Sequence, residues 1–164
     1  MTARHATIPY CVAAVAALAL SAPAQVQWVA RAPMLDPRTN TGVEGAAGVV
    51  RGTKLYVSHG TRGTVSALLS IYDIPSDTWT HGGATAPSGG VERYAVGGGY
   101  AVDNIWVIGG RRTLGPTTTM EAFNTTPNAW SSPVHLTVAR AGCAVASFPN
   151  FDQLVIAGGR TGAA

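Results

Sequence analysis

A nine-residue pattern occurs twice in this chain, and it limits the folds available more than any other feature. Ile71-Tyr-Asp-Ile-Pro-Ser-Asp-Thr-Trp79 returns as Ala122-Phe-Asn-Thr-Thr-Pro-Asn-Ala-Trp130, with similar residue types in the same order and no gap. Tyr72 answers Phe123, Asp73 answers Asn124, Asp77 answers Asn128 and Trp79 answers Trp130, each pair 51 residues apart. One period earlier stands Trp28. A second register runs in phase with the first. Leu55-Tyr-Val-Ser-His-Gly60, Ile105-Trp-Val-Ile-Gly-Gly110 and Leu154-Val-Ile-Ala-Gly-Gly159 follow one another at offsets of 50 and 49 residues. A fixed period of about 50 residues marks a repeat architecture, in which each unit buries its apolar face only against its neighbours.

The units read as strands. Gly45–Arg51 and Lys54–Ser58 flank Gly52-Thr53, a tight hairpin signal, and Thr64–Asp73 and Thr78–Gly82 follow. The cycle restarts with Arg93–Gly99 and Asn104–Ile108 across a turn near Asp103, then Thr117–Asn124 and Ala129–Ser132. Pro133–Val138 reads as a connecting loop, and Arg140–Phe148 with Gln153–Ala157 open a third cycle. The three runs closed by Gly-Gly or His59-Gly60 have no polar face, which implies burial on both sides. No segment after the leader has a convincing period of 3.6, so almost no helix is expected. Twenty glycines suit many short strands joined by tight turns.

The N-terminus reads as an export signal. Arg4 and His5 precede the uncharged run Ile8–Leu20, and Ala22-Pro23-Ala24 supplies a small-x-small cleavage pattern, so residues 1–24 are expected to leave as a signal helix. Thirteen residues are too few to span a bilayer comfortably, so no stable membrane insertion is expected after cleavage. The expected location is extracellular or periplasmic. Cys11 departs with the leader and Cys143 has no partner for an intrachain disulfide. The charge is small, +3, and the basic residues are scattered with only Arg111-Arg112 adjacent, which argues against a nucleic-acid partner.

Four strands per unit, a period of about 50, strands closed by Gly-Gly, an aromatic-Asp pair and a Trp some six residues on: in these the chain resembles the kelch-repeat β-propeller family. The residues that carry the resemblance are Gly109-Gly110 with Phe123-Asn124 and Trp130, and His59-Gly60 with Tyr72-Asp73 and Trp79. Gly158-Gly159 repeats the strand end, and Arg93 and Arg140 match the family's Arg on the preceding strand. His59 replaces a Gly and Asn124 an Asp. The resemblance implies an all-β chain of kelch-type blades: a leading strand at 25–31, a first blade at 45–82, a second at 92–132 and an incomplete third at 140–164. Trp28, Trp79, Trp130, Tyr72 and Phe123 would be wedges between blades, and the Gly-Gly pairs would supply positive φ. Two and a half to three blades make an open arc, whereas propellers carry four to eight. The reading adopted is a piece of a longer propeller. Association of several copies through open blade edges into a closed ring, and a degenerate, unstable chain, are the alternatives.

In a meander the connections after the second and fourth strands share one rim. After the second strands they carry Arg62 in the first unit, Arg111 and Arg112 in the second and Arg160 in the third, and after the fourth strands His135 in one unit and Glu92 in another. Several guanidinium groups on one rim suit an acidic protein or carbohydrate ligand. The expected role is therefore a non-catalytic binding module that needs no cofactor or metal. The alternative implied by the family is a fragment of a carbohydrate-active enzyme, similar to copper-radical galactose oxidases or sugar epimerases. His59, His81, His135 and Cys143 show no ligand-like spacing for a metal, and Glu92, Glu121 and Asp103 form no evident acid–base pair.

Overall fold

The computed structural model describes residues 29–34, 42–61, 65–81, 93–148, 150 and 152–162. The leader, Trp28, Arg62 and Glu92 lie outside these described residues. Every element below belongs to one compact unit, Arg31–Ala164. The chain is all-β with antiparallel sheets, and the described residues include no α-helix and no helix long and apolar enough to cross a membrane.

The first sheet is a four-stranded meander of β1 (Ala47–Arg51), β2 (Lys54–Ser58), β3 (Leu69–Asp73) and β4 (Thr78–His81). The second has β5 (Gly97–Ala101), β6 (Asn104–Ile108) and the long β8 (Gly115–Asn124). The short β7 (Arg111–Arg112) folds back on the start of β8. Both β9 (Ala129–Trp130) and β10 (Val134–Arg140) lie along the far edge of β8. The third sheet is the hairpin of β11 (Ala144–Phe148) and β12 (Gln153–Ala157).

The sequence period is carried by the backbone. Tyr72 pairs with Trp79 across β3 and β4, and Phe123 with Trp130 across β8 and β9, with ring centroids 5.0 and 5.4 Å apart. The turns between them put Asp77 at φ 54° and Asn128 at φ 53°. The strand-end pairs repeat as well: His59-Gly60 has φ 63° and 95°, Gly109-Gly110 has 59° and 100°, and Gly158-Gly159 has 67° and 85°. Histidine tolerates this left-handed region better than most residues, which is how His59 can stand in a glycine position. Three isolated bridges follow the same period: Glu44 to Thr61, Tyr94 to Arg111, and Ala141 to Arg160.

An arginine links each sheet to the next. The Arg93 carbonyl accepts from Gly60 N–H of the first sheet, and its Nη1 donates to the Gly109 carbonyl of the second, both at 2.8 Å. Arg140 repeats this, accepting from Gly110 N–H and donating Nη1 to the Gly158 carbonyl, both at 2.7 Å.

The glycine strand β5 is thin because both its faces are occupied. A Cβ on Gly98 would lie 3.0 Å from Ala47 and Val49 of the first sheet; one on Gly97 would lie 2.5 Å from Val145 of the third. The main core sits between the first two sheets, where Val49, Tyr56 and Leu69 meet Ile105 and Phe123. Burial of such side chains is worth ~1.5–3 kcal/mol each.

Several sequence boundaries need correction. Pro133–Val138 is not a loop: from Val134 it is strand β10, paired to β8 through Val134–Met120 and His135–Thr119. Arg140–Phe148 is not one strand, since Gly142 at φ 67° separates β10 from β11. Ala95 at φ 53° likewise delays β5 until Gly97, and Gly45 at φ 63° delays β1 until Ala47. The third strand of the first sheet starts at Leu69, because Val65 bridges Thr61 and Ser66 N–H turns back to the Gly60 carbonyl. Arg111–Arg112 is the arm of a small hairpin, not part of a loop.

Candidate functional site

The Tyr94–Arg111 and Ala141–Arg160 bridges edge an open cleft of ≈ 520 Å³. Backbone hydrogen bonds fix both bridges. Arg111 N–H donates to the Tyr94 carbonyl at 2.7 Å and Arg160 N–H to the Ala141 carbonyl at 2.8 Å. Arg111 and Arg160 therefore occupy the same position in successive units, 49 residues apart, and both line the cleft with Tyr94 and Pro116. Gly142 and Gly159 line it too, and none of the described lining residues is a carboxylate. This volume falls within the usual range for ligand pockets.

The other arginine and histidine candidates are distributed differently. Arg112 leaves the cleft and sends Nη2 toward Thr119 Oγ1 at 3.4 Å. His135 is exposed on β10, with Nδ1 3.2 Å from Thr118 Oγ1. The bridge that matches Arg111 and Arg160 holds Thr61 in the first unit, so that position is an arginine in two units, not three. Arg62 lies outside the described residues.

A second cavity of ≈ 550 Å³ lies at the opposite, hairpin-turn end, lined by Arg51, Lys54, Tyr56 and Thr125. The guanidinium of Arg51 is already committed there. It bonds Thr125 Oγ1, donates Nε to Tyr100 Oη at 3.1 Å and pairs with Asp103 at 3.2 Å. An incoming anion would have to displace these partners. Among the described residues that line the Arg111–Arg160 cleft there is no acid.

Sequence spacing gave no hint of the buried charge cluster between the first two sheets. His59, Arg93 and Glu121 are each 0% exposed. Glu121 Oε2 accepts from Arg93 Nη2 at 2.5 Å and lies 3.2 Å from His59 Nε2. The Ser58 hydroxyl is 2.9 Å from His59 Nδ1. Donation from Nε2 to the carboxylate and from the hydroxyl to Nδ1 is satisfied by one neutral tautomer, with its proton on Nε2. Burial pushes the His59 pKa down; the Glu121 hydrogen bond opposes this and the Arg93 charge adds to it. Burial also lowers the Arg93 pKa, against the pull of Glu121. Trp130 meets the His59 ring edge-on at 6.0 Å.

A signal for this cluster does exist in the sequence. Ser70 stands one period before Glu121, and Val43 stands 50 residues before Arg93. Acid and base are thus both absent from one unit and both present in the next, as expected of partners. Cys143 is buried beside the glycine strand, and among the described residues no three His, Cys, Asp or Glu side chains gather as metal ligands would.

No protein-family model and no curated protein matches the chain. Among solved structures, the one titled "Structure of YjhT" is similar in fold, with a TM-score of 0.53 at 19% identity. The match covers 65% of this chain and 32% of that one, so the chain spans about a third of that structure's length. At this identity the likeness concerns the fold and carries nothing about activity.

Proposed function

We propose that the chain is part of an exported kelch-type β-propeller, in which each sheet is a blade, and that it binds an acidic protein or carbohydrate ligand in the Arg111–Arg160 cleft. One observation carries the binding reading: two arginines at equivalent positions of successive units flank one cleft, and among the described residues that line it there is no carboxylate. The propeller reading is supported by the repeated strand-end and turn dihedrals, and by the arginine link made twice in the same way. Guanidinium groups take carboxylates in paired, charge-assisted hydrogen bonds, worth ~1.5–3 kcal/mol each. The half-buried Tyr94 offers a ring against which a sugar or peptide can pack.

The enzyme reading has less support. Glu121 is sealed from substrate, and Asp103 is tied to Arg51 at the other end of the sheets. Titration calorimetry of the purified chain with uronic- or sialic-acid oligosaccharides and acidic peptides tests the proposal. Binding should weaken about tenfold or more in Arg111→Ala and in Arg160→Ala, ~1.4 kcal/mol or more, and should fall with added salt. Affinity unchanged in both variants overturns it. Turnover of a galactoside after copper loading would favour the enzyme instead.

A further inference from the structure

The cavity at the hairpin-turn end differs in chemistry from the cleft. Across β1 and β2, Arg51 pairs with Lys54 and Val49 with Tyr56, so Arg51, Lys54 and Tyr56 share the face of the first sheet that Val49 turns toward the second. With Gly52, Thr53 and Thr125 they line ≈ 550 Å³, a volume in the usual range for small-molecule sites. All these residues belong to the first two sheets and their turns. The cations among them are answered by acids. Arg51 pairs with Asp103 at 3.2 Å, and Lys54 stands opposite Asp73 in the β2–β3 register. The Asp73 carboxyl is held low first by its Ser76 hydrogen bonds and also by the Lys54 charge. An anion therefore meets a balanced field here, unlike in the cleft.

The groups left available are hydroxyls and one ammonium. Tyr56 is only 7% exposed, with its ring 6.3 Å from that of Phe123, yet its hydroxyl bonds none of the described residues. It stands near Arg51, whose pKa is raised first by the Tyr100 hydrogen bond and also by Asp103 and Tyr56. A phenol buried without a partner is costly until something bonds it. Thr125 Oγ1 accepts from Arg51 Nη1, which leaves its own proton to donate. Lys54 makes no hydrogen bond or ion pair with a described residue. The Thr53 carbonyl is taken by Ile74 N–H at 2.9 Å, while its side chain is exposed in the turn.

We propose that this cavity binds a neutral saccharide, with adjacent sugar hydroxyls seated between Tyr56 Oη, Thr125 Oγ1 and the Lys54 ammonium. The ligand is neutral because the local charges already balance. It is a saccharide because closely spaced hydroxyls, each able to donate and accept, match a wall of fixed donors and a two-way phenol. Arg51, held by Tyr100, Asp103 and Thr125, is the brace that orients the Thr125 hydroxyl. The cavity shares no lining residue with the Arg111–Arg160 cleft, so the proposal stands or falls apart from the reading of an acidic ligand there.

Amide-resolved NMR of the full chain tests it, with glucose, galactose, mannose, lactose and cellobiose as probes and glucuronate as the anionic control. At least one neutral sugar should shift the Gly52, Thr53 and Thr125 amides saturably, with an affinity that added salt leaves unchanged. Tyr56→Phe keeps the ring against Phe123 and removes only the hydroxyl. Lys54→Met changes an exposed position, and keeps the test alive should the first substitution disturb the core. Each should weaken the affinity about fivefold or more. No saturable shift at these amides with any neutral sugar, an affinity unchanged in both variants, or a response confined to glucuronate and lost in salt overturns the proposal.

Discussion

Arg93 and Arg140 occupy the same place in successive units, and they differ in what surrounds them. Each bonds the carbonyl of the first glycine of its own sheet's Gly-Gly pair, at 2.8 and 2.7 Å. Arg93 adds the Thr119 carbonyl and Glu121, close to His59, and is fully buried. Arg140 is half-buried and, among the described residues, its side chain keeps the single carbonyl. The second sheet has β8 to supply Glu121, whereas the third is a two-stranded hairpin. One sequence signature therefore has two energetic values. Among the described residues Arg93 is part of a buried ion pair, and Arg140 tethers one carbonyl from a half-buried position.

The largest way to break this comparison is Glu121→Ala. It leaves the Arg93 charge buried without its carboxylate, which costs ~3–5 kcal/mol. Urea unfolding should show a midpoint well below wild type, and a loss under 1 kcal/mol would mean that water reaches the cluster. Replacing Arg93 and Glu121 together by Met and Leu should recover much of the loss, since an apolar pair of similar volume removes the uncompensated charge.

Glycines at the same two places give the next effect. A Cβ on Gly109 would lie 2.4 Å from the Arg140 carbonyl oxygen, while one on Gly158 meets nothing within 4 Å. Both have φ near 60°, so both pay the left-handed conformational penalty of ~1–2 kcal/mol on substitution by Ala. Only Gly109→Ala adds a backbone clash and strains the Gly110–Arg140 link. Its loss of stability should exceed that of Gly158→Ala by ~1–3 kcal/mol. Equal losses would mean that the junction opens easily.

His59 sharpens the comparison through pH. Its pKa is lowered in the fold, by burial first, while in the unfolded chain it returns to about 6.5. Between those two values the unfolded chain binds a proton that the folded chain refuses, so stability is complete above about pH 6.5 and declines as pH falls toward the folded value. Asn tolerates the same positive φ and does not titrate. His59→Asn should therefore flatten the dependence of the urea midpoint on pH just below 6.5. The acid loss linked to Asp73 and Asp77, whose pKa values are also lowered, lies below the usual carboxylate range and should survive the change.

How much of this was legible follows from the range over which each cause acts. The paired aromatics Tyr72 and Trp79, the turn at Asp77 and the left-handed strand ends are local, so the 51-residue echo disclosed them. Strand β10 was hidden by the repeat itself: its counterpart in the first unit is the Gly- and Pro-rich stretch 83–90, which made 133–138 look like a loop. Yet Val134, Leu136 and Val138 alternate as a strand should. The cleft was half legible, because Arg111 and Arg160 sit at repeated positions, but only the bridges show that Arg112 and His135 point elsewhere. The His59–Arg93–Glu121 cluster joins residues 28 and 34 apart across two sheets, so spacing alone could not find it.

The smallest expected effect is at Arg140, and it tests the comparison from its weak side. A tether to one carbonyl on a half-exposed side chain is worth ~0–1 kcal/mol, so Arg140→Ala should move the urea midpoint little in the isolated chain, far less than Glu121→Ala. The backbone bond from Gly110 N–H to the residue 140 carbonyl survives the change, which keeps the second and third sheets in register. A cost as large as that of Glu121→Ala would mean that Arg140 has a buried partner of its own, and the distinction drawn between the two arginines would fail.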